Sequence, residues 1–241
     1  MSPWINQTSS VLLTLADGRF PAGGYVHSGG LEQAVVSGRV CSVDELSIFL
    51  VGRLKTLGRT EAALSALSWS AAPCLDALFT IQAEAVARSP SPAWREASCM
   101  QGRNLVRAAQ SIWPLLLLKV TWPSGRKVGL EPGPMYPVAL GAVGNCVGLG
   151  LDEVALVAAQ GAVSGPAWAA TRLLGLDPFA IARCLVELAP AVEEVAAFAA
   201  GLARDASDLG EVAAGLPAHS APLLEIGAEG HCLQEVRLFA S

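Results

Sequence analysis

Charge is scarce in this chain. Asp, Glu, Lys and Arg make up only 15% of its 241 residues, against 52% in the hydrophobic set, and the lysines are just Lys55, Lys119 and Lys127. With a net charge of −5 and no basic face, the composition argues against a nucleic-acid binder, whose affinity comes from neutralising phosphates. Six cysteines at 41, 74, 99, 146, 184 and 232 form no Cys-x-x-Cys pair, and the first ten residues lack a basic start and a cleavage-like end. Reduced thiols serving as small core residues of a cytoplasmic protein are therefore expected. A GxxxxGK[ST] phosphate loop and a G-x-S-x-G nucleophile elbow are both missing. Only three histidines occur, and none has the spacing of a closed metal site; His231-Cys232 reads as an interface histidine rather than a ligand pair. No active site, resident cofactor or metal centre is expected, so the chain reads as a binding protein and not an enzyme.

Convincing apolar–polar alternation is also missing, which disfavours strands. Helical periodicity dominates instead. Ser42 and Glu45 form a capping box, after which Val43, Leu46, Phe49, Leu50, Leu54 and Leu57 recur at helical spacing. Segments 63–70, 75–88, 94–113, 138–148 and 152–174 read as further helices, with Pro90 and Pro92 breaking the chain before the third of these. Asp177 and Pro178 supply a cap and a first-turn proline for another helix, which Pro190 is expected to kink or restart. The pattern predicts one all-α domain of roughly eight to ten helices over 1–241. It also predicts a short flexible N-terminus (1–9), a Pro/Gly-rich surface loop (122–137) and a docking C-terminal segment (217–241).

Two long uncharged stretches, 132–151 and 154–171, raise a membrane alternative, the more so because Gly144 and Gly148 make a GxxxG spacing. Gly, Ala, Pro, Asn and Gln dilute both stretches, and Asp152-Glu153 separates them without a basic anchor. Closely packed helices of a soluble bundle explain the same letters better, so no membrane partner is expected.

Residues 13–32 read LTLADGRFPAGGYVHSGGLE, an apolar run, a Gly/Pro-broken loop and a helix start at Leu31-Glu32. Ser28 reads as a helix cap. At the other end, 222–241 carries Leu223, Leu224, Ile226, Leu233, Val236, Leu238 and Phe239 with few charges. A terminal segment this apolar is expected to dock, either on its own domain or on a partner. Composition leaves both readings open.

These two ends resemble the UreF family of urease accessory proteins. The first match is Pro21-Ala22-Gly23-Gly24-Tyr25 followed by Ser28-Gly29-Gly30-Leu31-Glu32. The second comprises Pro222, Leu223, Ile226, His231, Gln234, Arg237, Leu238, Phe239 and Ser241, with the chain finishing Arg-Leu-Phe-x-Ser. The resemblance implies an all-α, non-catalytic chaperone that works with UreD (UreH in some organisms) and the GTPase UreG to load nickel into apo-urease. It implies a homodimer as well. By the same analogy His231, Gln234, Arg237, Leu238, Phe239 and Ser241 belong to the UreD contact. Glu32, in the motif that Ser28 opens, and Arg172 belong to the GTPase-facing surface. One departure stands out: relatives continue past Arg172 into a Pro-Leu/Phe-Gly-Gln sequence, where this chain has Gly175-Leu176-Asp177-Pro178.

Overall fold

A computed structural model describes residues 8–113, 133–219, 221–234 and 237–239. Among them there are no strands. Nine α-helices of nine residues or more and two of six residues pack around one apolar core. In order they are α1 (Thr8–Ala16), α2 (Leu31–Val36), α3 (Val43–Arg53), α4 (Arg59–Ala71), α5 (Leu75–Ala87), α6 (Pro92–Ile112), α7 (Tyr136–Cys146), α8 (Leu151–Leu174), α9 (Pro178–Arg204), α10 (Leu209–Ala214) and α11 (Pro222–Cys232). The all-α expectation holds. Of the flexible N-terminus, 1–7 lie outside the described residues, and Thr8 already opens α1.

Local chemistry sets most of the helix starts. Ser42 accepts from the Glu45 amide at 3.3 Å, and Glu45 Oε2 answers by accepting from the Cys41 amide at 2.8 Å. Ser91 caps α6 through the Trp94 amide and Asp177 caps α9 through the Phe179 amide, each with a proline at the first turn. Pro190 does not restart α9: the helix runs unbroken from Pro178 to Arg204. Burial of Leu188, Val192, Val195 and Ala196 on either side of the proline outweighs the lost backbone bond.

At the centre lies α4, buried almost along its whole length between α7, α8 and α9. Small residues let these helices close on one another. A Cβ added to Gly141 would meet the Ser65 carbonyl at 2.2 Å, and one added to Gly144 would meet Val154 Cγ2 at 2.3 Å. The GxxxG spacing is not a helix face, however. Helix α7 ends at Cys146, and Gly148 follows with φ +85°, a turn conformation suited to glycine. Among the described residues no helix is long and apolar enough to cross a membrane.

Between α3 and α4 the rod passes through one π-helical stretch, Leu54–Gly58. Gly58 there lies so close to α8 that an added Cβ would meet Ala162 Cβ at 2.9 Å, and Arg53 reaches the Ala162 carbonyl. The end of the expected 122–137 surface loop is in fact structural. Met135 is buried, its amide donating to Gln82, and Tyr136 begins α7 with its amide on Ser98; 122–132 lie outside the described residues. The thiol expectation is corrected in part. All six cysteines are free, but only Cys99 and Cys184 are buried, while Cys41, Cys74 and Cys232 are exposed.

Candidate functional site: the C-terminal segment on the signature loop

Leu31, wholly buried, fixes α2 against the core, and the next residue follows it inward. Glu32 is 4% exposed, so it is no solvated helix carboxylate. Ser28 is buried beneath it and accepts from the Glu32 amide at 3.2 Å, so it does cap the helix. It acts from two residues before the N-cap position, which Gly30 occupies at φ +88°.

Three groups from the far end of the chain converge on the Glu32 carboxylate. His231 Nε2 lies 2.7 Å away, the Leu238 amide donates at 2.7 Å and the Phe239 amide at 3.1 Å. A buried carboxylate needs such partners, because desolvation without them costs several kcal/mol. Around it Gln234 Nε2 donates to Gln33 Oε1 at 2.5 Å, and α11 sits so close that a Cβ on Gly227 would meet Gln33 at 3.2 Å. The Phe239 ring is buried under the Arg172 guanidinium, 4.7 Å from its centroid, a cation–π pair. Glu229 ties the other side of α11 to the start of α6, accepting from the Ser91 hydroxyl and the Ala93 amide.

So self-docking, one of the two readings open for the C-terminal segment, is what the described residues display. The segment nevertheless keeps an outward face. Leu223, Ile226, Leu233 and Leu238 are 56–86% exposed. Arg237 points outward as well, while Ser241 lies outside the described residues.

Beside the docked segment the signature loop walls a cleft of about 800 Å³. Its floor carries Arg53, Glu61, Ser65 and Tyr136, Trp94 closes one side, and Tyr25, Trp168 and Arg172 stand at its rim. Burial draws the Arg53 guanidinium down and pushes the Glu61 carboxyl up, while burial and Glu61 together push the Tyr136 hydroxyl up to about 12. His27, buried in the same wall, is lowered by desolvation to about 4. Gly29 has to be glycine here: at φ +60° an added Cβ would meet Pro166 at 2.8 Å and the Arg53 guanidinium at 3.3 Å. Among the described residues no group of three or more His, Cys, Asp and Glu side chains is arranged to hold a metal ion.

Both ends of the chain thus meet at one carboxylate, a contact that neither terminal motif disclosed, and comparison with known proteins decides the family. The UreF family model matches residues 40–189. The chain belongs to the UreF family. Proteins named urease accessory protein UreF are similar to it over nearly its full length. That of Mycobacterium sp. (strain JLS) is 40% identical over 234 residues, 97% of this chain and 99% of the relative. That of Mycolicibacterium vanbaalenii is 40% identical over 232 residues, and one from Mycobacterium tuberculosis (strain H37Ra) is 36% identical over 232, each covering 96% of this chain and 98% of the relative.

For a UreF-family chain the convergence has a consequence. Glu32 and Arg172, attributed by resemblance to one partner surface, and His231, Leu238 and Phe239, attributed to another, are in direct contact with one another. Sequence reading missed Gln33, Glu229 and the cleft residues Arg53, Glu61 and Trp94.

Proposed function

We propose that this UreF-family chain is a non-catalytic adaptor of urease maturation. It bridges a UreD/UreH-type protein and a UreG-type GTPase so that nickel is delivered into apo-urease, acting as a homodimer in the cytoplasm. Family membership and the relatives' printed names support the accessory role. The observation that carries the adaptor reading is the two-sided C-terminal segment, whose inner face is held by Glu32 and whose outer face presents Leu223, Ile226, Leu233 and Leu238 to solvent. Such a stripe, with Arg237 beside it, has the composition of a protein contact.

In this reading the outer face, with His231, Gln234, Arg237, Leu238 and Phe239 around it, belongs to the UreD-type contact, to which the resemblance also assigns Ser241. Arg172 and the signature loop bearing Ser28 and Glu32 form the GTPase-facing side. Because Ser28, Glu32, His231 and Phe239 are buried, they act by positioning the segment unless it is displaced. Co-expression with the two partner proteins tests this. Arg237→Ala with Phe239→Ala should abolish UreD-type co-purification while the helical content stays intact. Unchanged co-purification would remove C-terminal docking from the account.

A further inference from the structure

The floor of the cleft holds a guanidinium whose donors are largely unused. Arg53 is 7% exposed, and among the described residues only Nε of its five N–H donors is spent, on the Ala162 carbonyl at 2.9 Å. Nη1 is buried with no partner among the described residues, and Nη2 is 3.9 Å from Glu61 Oε2, beyond hydrogen-bond range. Trp94 stacks on one face at 5.0 Å. A buried donor left unmade costs on the order of 1–3 kcal/mol, and a guanidinium fork matches the two oxygens of a carboxylate.

The remaining wall is mostly apolar, with Leu15, Phe20, Leu105, Val157 and Phe239 facing the cleft. Its volume of about 800 Å³ lies within the range of small-molecule sites, roughly 300–1,000 Å³, which combine apolar walls with a few placed polar groups. From this we infer that the cleft binds an organic acid, a single carboxylate on an apolar body, with Arg53 as the seat of the carboxylate.

Glu61 limits the charge the site accepts. One arginine facing one carboxyl suits a monoanion, whereas a phosphate dianion would meet repulsion. Burial pushes the Glu61 carboxyl up, against the pull of Arg53, which lessens its repulsion of a carboxylate seated beside it. Nη1 is closed to solvent, so seating the acid turns the end of the Arg53 side chain toward the cleft. The inference does not rest on the adaptor reading and stands or falls separately.

Calorimetric titration of the full-length chain with octanoate, and with 1-octanol as an uncharged control of the same length, is the test. Octanoate should bind saturably with one site, at least tenfold tighter than 1-octanol. Arg53→Met should remove that preference, and Arg53→Lys should keep part of it. Absence of saturable octanoate binding, equal affinity for the two probes, or an undiminished preference in Arg53→Met would each overturn the inference. Independently of any variant, a crystal structure of the natural chain with octanoate should place the carboxylate within about 3.2 Å of an Arg53 nitrogen. A carboxylate found elsewhere would overturn it as well.

Discussion

The Glu32 carboxylate lies 2.7 Å from His231 Nε2, a residue 199 positions further along the chain. The same carboxylate accepts from the Leu238 and Phe239 amides, so one side chain near the start holds three groups near the end. Glu32→Gln removes the charge and one acceptor while keeping the shape. A hydrogen bond to a charged group is worth about 1.5–3 kcal/mol, so the Leu238 and Phe239 amides should exchange with deuterium roughly ten- to a hundredfold faster. The α4, α7 and α8 amides should be unaffected. Unchanged exchange at 238 and 239 would mean that Glu32 does not hold the segment.

The outward stripe gives a complementary prediction. Ile226→Asp with Leu233→Asp alters side chains 69% and 86% exposed, so stability should move by no more than about 0.5 kcal/mol per site in denaturant titration. UreD-type co-purification should fall sharply. Stable variants that still co-purify would place the contact elsewhere.

How far the sequence reached is visible in particular residues. Ser42, Asp177 and Pro178 mark helix starts because capping is a local matter of a side chain and an amide two or three positions on, whereas Ser91 and Pro92, read as a break, in fact open α6. The terminal motifs pointed to Glu32 and His231, but their burial against each other was not legible, because nothing local encodes a pairing across 199 residues. Arg53, Glu61 and Trp94 were invisible as a group for the same reason. Pro190 does not divide α9 because propensity is a weak prior beside the apolar residues that the helix buries around it.

Packing over small residues predicts a stability effect. Gly141→Ala puts a methyl 2.2 Å from the Ser65 carbonyl, so α7 must move off α4. Overpacking of this kind costs about 1–3 kcal/mol, and at this chain length each kcal/mol lowers Tm by about 2–4 °C. An unchanged Tm in scanning calorimetry would show that this approach is looser than described.

His27 sets a pH dependence. Burial lowers it from 6.5 to about 4, so the folded chain keeps it neutral while the unfolded chain takes up a proton below 6.5. Its contribution is therefore constant above pH 6.5, and destabilisation grows as the pH falls toward 4, reaching about 3 kcal/mol at about 1.4 kcal/mol per pH unit. The lowered carboxyls of Asp17 and Glu229 lose their contributions at lower pH, below their ordinary values of 3.8 and 4.5. His27→Gln should flatten the stability profile between pH 6.5 and 4.5. Parallel profiles for the two proteins would refute the assignment.

The adaptor role is tested most directly by urease activation in a host that supplies the structural subunits, UreD- and UreG-type partners from the same source and nickel, with and without this chain. The account predicts active, nickel-loaded urease only when the chain is present, and its loss with Ile226→Asp and Leu233→Asp. Full activation without the chain, with all partners soluble, would contradict it.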